Sequence, residues 1–247
     1  MYLKSIPFNA PAGFAVREAT SNDVDALTRL WYQSFYTSHG FWQAVTPDDP
    51  VTRQWLNDAW DLGVQCGPSV FKTWVVEDLA KNGKIVAFAR WHVPQADGKQ
   101  DFPLPTYPAH WDAELTDALW GGMPRNRLDV MGTRPHWMFE FLGVDKGYQG
   151  KGLGYRLMEW GCKQADATGL EVYLDATIQG RPLYNKWFGF QDRKILEFPL
   201  RPDGFKEYYM MAMVRPAVLK AAADRYPTSE AVTDSNGFVW ESESARQ

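Results

Sequence analysis

The sequence predicts a mixed α/β domain, an α+β arrangement in which a central sheet of about six or seven strands is flanked by helices. Three observations predict it. Short β-prone runs alternate with stretches whose apolar residues recur at helical spacing. The pair Asn82-Gly83 joins two β-rich runs and readily supplies the positive φ angles of a tight hairpin turn. An apolar run ending at Val144 leads through a glycine-rich turn into a helix.

Taken in order, residues 14–18 read as a first strand. Ser21-Asn22-Asp23 then offers an N-cap, and Val24, Leu27, Leu30, Trp31 and Phe35 lay an apolar stripe along a helix over 22–38. Pro47-Asp48-Asp49-Pro50 breaks the chain. Trp55, Leu56, Ala59, Trp60 and Val64 mark a second helix, ended by Gly67-Pro68. Residues 73–79 and 85–93 form the hairpin about Asn82-Gly83. Residues 94–135 hold six prolines and one helical piece around 115–120. So long and proline-punctuated a connection is a functional lid or an insertion. A strand over 136–144 follows, then a helix over 153–168 closed by Gly169. A strand over 170–176, a short helix over 181–187 and strands over 191–200 and 207–215 complete the order. A helical turn or two is expected after Pro216, and a loose polar end from about residue 228. The reading is one domain over 14–215 that includes the insertion, followed by an extension over 216–247.

Composition narrows the function. The formal net charge is -4, which argues against nucleic acid as the main ligand, because phosphate backbones demand a basic footprint. Twelve tryptophans predict a ring-lined core and cleft. Two cysteines, Cys66 and Cys162, are too few for a disulfide framework and fit a reducing compartment. No apolar run approaches the roughly 18 residues of a membrane span. Pro7, Asn9 and Pro11 stand where a secretory signal would need its apolar stretch. A cytoplasmic protein is expected, with the nucleus also open and no membrane partner. His39, His92 and His110 are scattered without metal-ligand spacing, so no metal is expected.

The chemistry concentrates in residues 139–154. A helix start leaves backbone N–H groups unpaired and carries partial positive charge. Glycines let that backbone approach an anion closely. The Walker pattern fails, because Lys151 is followed by Gly152 where Ser or Thr is needed. The dinucleotide pattern fails at Tyr155, although Asp175 lies near the distance expected of a ribose-binding acid. A generic anion cradle, or a turn that merely needs glycines, fits these residues.

Val144-x-x-x-x-Gln149-x-x-Gly152-x-Gly154 resembles the pyrophosphate signature of the GNAT superfamily of acyl-CoA N-acyltransferases. The element order over 14–215 resembles that fold, and Pro182-Leu183-Tyr184 with Gly189-Phe190 resembles its later Tyr…Gly-Phe segment. Residues 94–135 resemble an insertion found in a subset of the family, often fungal, before the central strand. One departure stands out. The family places four steps between that tyrosine and the glycine, whereas Tyr184 to Gly189 is five, so a longer turn or bulge must absorb one residue.

The resemblance implies a mostly antiparallel sheet with a splayed central pair of strands, acetyl-CoA as acyl-donor substrate, and direct attack by an amine on the thioester. It implies a CoA site at Leu142, Val144, Gln149, Gly150, Lys151, Gly152, Leu153 and Gly154, with Tyr184 beside it. The Val144 N–H would donate to the thioester carbonyl and the helix-start amides would hold the phosphates. Glu140 interrupts an apolar strand and, by alternation, faces the same way as Leu142 and Val144, which makes it a candidate base. The alternative is a carboxylate paired with an arginine or facing solvent. Tyr184 is the candidate acid toward the leaving sulfur, the alternative being a core tyrosine. His136 shares Glu140's face and is read as a satisfied strand-end residue, the alternative being a member of a proton relay with Glu140. The aromatic stretch Trp31-Tyr32, Phe35-Tyr36 and Phe41-Trp42 falls at the first helix and the loop after it, where this fold commonly builds its acceptor site, most of the rings as core. The expected acceptor is a small-molecule amine; a protein lysine or N-terminus, and a CoA-binding regulator without catalysis, are the alternatives.

Overall fold

The computed structural model describes residues 7–100, 102–201, 204–218, 232–233 and 239–240. The expected helical turns and loose end beyond residue 218 lie almost wholly outside the described residues. Seven strands form one sheet: β1 (Phe14–Glu18), β2 (Phe71–Asp78), β3 (Lys84–His92), β4 (His136–Val144), β5 (Glu171–Thr177), β6 (Gln191–Glu197) and β7 (Tyr209–Arg215). Their order is β1-β2-β3-β4-β5-β7-β6. Every neighbouring pair is antiparallel except β4 and β5. Parallel neighbours need a crossover, and the helix Leu153–Thr168 supplies it. The β2–β3 turn uses its Asn-Gly pair as expected: Asn82 has φ 53° and Gly83 φ 73°.

Helices cover both faces. The helices are α1 (Val24–Trp31), α2 (Gly40–Val45), α3 (Pro50–Gln65), α4 (Ala113–Thr116), α5 (Gly122–Met131), α6 (Leu153–Thr168) and α7 (Arg181–Phe188). On one face α6 and α7 enclose Trp91, Phe139, Leu157, Trp160 and Phe190. On the other, α1, α2 and α3 enclose Trp31, Phe41, Trp60, Phe88 and Phe141. Met131 of α5 packs with Tyr173, Ala212 and Val214 over the β5–β7 half of that same face. A β-carbon at Gly161 would lie 2.2 Å from the Trp91 ring, so α6 sits on β3 as closely as a side-chain-free position allows.

Several boundaries differ from the periodicity. The first helix is a composite: a 3-10 turn at Ser21–Asp23 precedes α1, and a π turn at Tyr32–Tyr36 follows it. Its cap is Thr20, whose N–H donates to Asp23 at 2.7 Å. Helix α3 begins at Pro50, because Asp49 caps it by accepting from Val51 and Thr52 and proline suits a first helical position. The insertion is more helical than expected, running from α4 through a π turn at Asp117–Gly121 into α5. The wide turn carries the chain past Gly121, Gly122 and Pro124, which by themselves signal a stop. The insertion is thus a packed layer over β5, β6 and β7. Among the described residues no helix is long and apolar enough to cross a membrane.

Candidate active site

The sheet opens at its centre. Strands β4 and β5 pair only from His136–Glu171 to Phe139–Leu174. Beyond that point β5 continues beside β7 to Thr177 and β4 continues beside β3 to Val144, without partners in each other. Backbone groups of β4 that would have bonded β5 therefore face a wedge-shaped gap. A cavity of about 850 Å³ fills it. Its wall includes Gly152, Leu153, Thr177 and Tyr184 on the α6–α7 side and Phe35, Trp42, Trp120, Glu140 and Asp175 on the other. The cavity thus passes through the sheet.

At one end stands the glycine turn. Gly150 and Gly152 have φ of 75° and 71°, left-handed angles that a β-carbon disfavours. The first main-chain bond into the helix is from the Arg156 N–H to the Gly152 carbonyl. The amides before it are the unpaired donors of a helix start, backed by the positive end of a 16-residue helix. Leu142, Val144, Gln149, Gly150, Gly152, Leu153 and Gly154 all line the cavity. The Lys151 side chain turns aside, with Nζ 5.0 Å from the Tyr148 ring centroid. Tyr148 braces the turn by donating to Asp78 at 2.7 Å, and the Gln149 amide donates to the Val144 carbonyl at 3.3 Å. These residues fit a diphosphate: flexible backbone, free amides and no side chain in the way.

Tyr184 lies on the same side, edge-on to Phe139 with ring centroids 6.1 Å apart. Burial pushes its phenol well above the usual tyrosine range, so it keeps its proton. The extra residue after it is absorbed at the end of α7. The N–H of Gly189 (φ 70°) reaches back five residues to the Tyr184 carbonyl, a π-type step, and Phe190 donates to the same oxygen at 3.2 Å.

Glu140 departs from simple alternation. In the β3–β4 ladder Arg90 pairs with Phe141 and Trp91 with Phe139, so Glu140 is the extra residue of a β-bulge. The expectation that it shares a face with Leu142 and Val144 is corrected by this: those two pack toward α6, whereas Glu140 turns with Phe141 to the opposite face. There it accepts from Arg90 at 2.6 and 2.7 Å and meets His92 Nε2 at 2.7 Å. The Arg90 guanidinium is enclosed by rings, 4.4 Å from the Trp60 centroid and 5.4 Å from that of Phe141. Burial raises the carboxyl, but the charge of Arg90 and the bonds from Arg90 and His92 outweigh it and hold Glu140 down at about 2. Burial also lowers His92 below the ordinary histidine range. Glu140 is therefore an anion at all ordinary pH, in the cavity wall and already paired.

Other expectations fall into place around it. His136 is fully buried, donates from Nδ1 to the Arg134 carbonyl at 2.7 Å, and is pushed down to about 4 by burial; it lies outside the cavity wall. Cys162 is buried and its thiol is pushed up to about 12 by burial, in keeping with a packing role. Of the aromatic stretch, Phe35 and Trp42 line the cavity while Trp31 and Phe41 are core. Among the described residues no group of three or more His, Cys, Asp or Glu side chains converges as a metal site would. Arg90 and His92, two polar residues at alternate positions of an apolar strand, are a readable sign of a shared polar face.

A sheet split between parallel neighbours, with a glycine-framed helix start at the split, defines an acyl-CoA transferase scaffold. The sequence matches the acetyltransferase (GNAT) family over residues 25–190, and the chain belongs to that family. It is accordingly an N-acetyltransferase by family. Compared with curated proteins, the sequence matches none. Solved structures share the fold. A Drosophila melanogaster polyamine N-acetyltransferase is 18% identical with a TM-score of 0.56, over 82% of this chain and 99% of that one. A mosquito arylalkylamine N-acetyltransferase is 14% identical with a TM-score of 0.55, over the same shares. A Corynebacterium glutamicum protein described as a histone acetyltransferase and related acetyltransferase is 20% identical with a TM-score of 0.52, over 84% and 98%. At these identities the likeness is one of fold.

Proposed function

We propose that the protein transfers an acetyl group from acetyl-CoA to the amine of a small molecule, by direct attack within a ternary complex. The observation that carries this is a cavity that passes through the sheet, with the glycine-framed helix start on one side and an aromatic-lined chamber on the other. The donor's diphosphate lies on the helix-start amides of residues 151–154, and its pantetheine arm runs between β4 and β5 past Leu142. The Val144 N–H polarises the thioester carbonyl, and Tyr184 protonates the departing sulfur. Glu140 supplies a fixed negative charge in the acceptor half, in a pair that also orients His92.

The insertion favours a small acceptor. Phe102, Leu104, Trp120, Met123 and Pro124 wall the chamber that a protein segment would otherwise enter. The names of two structural neighbours, a polyamine and an arylalkylamine N-acetyltransferase, accord with this reading. The test is calorimetric binding of acetyl-CoA followed by thiol release against a panel of arylamines, polyamines, amino acids and peptides. Saturable binding with turnover of small amines supports the proposal. Turnover of peptides alone would make the protein acetyltransferase reading correct, and binding without any turnover would make it a CoA-binding regulator.

A further inference from the structure

We infer that Asp175 of β5, held by the insertion helix α5, is the carboxylate that receives the acceptor's ammonium group and takes its proton. This rests on the acyltransfer reading above and assigns the acceptor side of that site. Three observations support it. Position comes first: Leu174–Phe139 is the last β4–β5 pair, so Asp175 is the first β5 residue at the opening. It lines the cavity on the same face as Glu140, because Leu174 and Ala176 point toward α6 and α7 while Tyr173 packs under α5.

Partners come second. Asp175 accepts from the Tyr173 hydroxyl at 2.8 Å and from the Asn126 amide at 3.3 Å, both neutral donors. Glu140, by contrast, already holds two bonds from a buried guanidinium. A base needs an oxygen with proton affinity to spare, and of these two carboxylates Asp175 has it. The charged groups facing it are Arg127 of α5, which acts through space, and the Glu140–Arg90–His92 group across the gap; its β7 neighbour, Ala212, is neutral. Burial outweighs the bonds from Tyr173 and Asn126 and the charge of Arg127, lifting this carboxyl to about 6, within the range of a working base near neutral pH. The insertion supplies the third observation: Asn126 is buried in it, with its amide aimed at Asp175. The residues between β3 and β4 thus build the acceptor subsite.

The proton account closes. The ammonium R–NH3+ gives one proton to Asp175, and the neutral amine forms a C–N bond to the thioester carbon. The C–S bond then breaks. The second nitrogen proton leaves as the amide forms, one proton ends on the sulfur from Tyr184, and Tyr184 and Asp175 return to their starting forms by net release of a single proton to solvent.

The experiment compares wild type, Asp175→Asn, Tyr173→Phe and Glu140→Gln for acetyl-CoA binding, thermal unfolding and kcat/KM against pH, with an amine turned over by wild type. The expected wild-type profile rises through an acid limb near pH 6. Asp175→Asn should bind acetyl-CoA normally, lose about 10²–10⁴-fold in kcat/KM and lose that limb. Tyr173→Phe removes a donor to the ionised form, so the limb should move to higher pH. A limb that stays near 6 in Asp175→Asn, or one that disappears only in Glu140→Gln, overturns the assignment. A wild type that neither binds acetyl-CoA nor turns over any amine overturns the underlying reading as well, and the two failures are distinct.

Discussion

Replacing Glu140 with glutamine separates a structural anion from a catalytic base. The Arg90 side chain is 3% exposed and boxed by Trp60, Phe71 and Phe141, so its charge depends on the Glu140 carboxylate for compensation. The fold holds that carboxyl at about 2, against 4.5 without its surroundings. That difference, at about 1.4 kcal/mol per pH unit, corresponds to about 3 kcal/mol. Removing one partner of a buried ion pair typically destabilises by about 3–5 kcal/mol, in agreement. The folded-state pKa is depressed, so this stabilisation is present above the unfolded value and is lost as pH falls from about 4.5 toward 2. Urea unfolding of wild type and Glu140→Gln measures it. The gap should be about 3 kcal/mol at pH 7 and close progressively in acid. A variant as stable as wild type at pH 7, with turnover abolished and the acid limb gone, would refute the reasoning and make Glu140 the base.

Three other perturbations test separate parts. Tyr184→Phe should lower kcat by about 10²-fold or more while leaving the Kd for acetyl-CoA unchanged, which single-turnover kinetics and calorimetry resolve. Gly152→Ala places a β-carbon at φ 71°, which strains the turn by about 1–2 kcal/mol. Acetyl-CoA binding by calorimetry should weaken about tenfold or more for that strain. Gly161→Ala forces a methyl to 2.2 Å from Trp91, so α6 must shift off β3 and urea unfolding should show a loss of about 1–3 kcal/mol.

The seven strands, the Asn82-Gly83 turn and the glycine-framed start of α6 are legible in the sequence because each depends on local chemistry. Period-two alternation, positive φ at glycine or asparagine, and the unpaired amides of a helix start are properties of a few consecutive residues. The same holds for the family signature, which is a spacing within one turn. Pairing partners are another matter. The bulge at Glu140 exists because β3 and β4 are out of step by one residue there, and no property of β4 alone announces it. That one residue turns Glu140 away from Leu142 and toward Arg90, fifty positions earlier, and so converts the candidate base into a paired anion. Asp175 shows the converse. In the sequence it is an acid at a ribose-like distance from a glycine turn; in the fold it stands at the split of the sheet, with Asn126 of the insertion bonded to it. Its proton affinity comes from burial in the fold and is tempered by Asn126 and Arg127 of α5, a segment whose glycines and proline read locally as a break. What the sequence by itself determined is the seven strands and the glycine-framed helix start. Which carboxylate is paired with a buried guanidinium and which has only neutral donors was decided only by the tertiary structure, because burial and charge pairing are set by residues far apart in the chain.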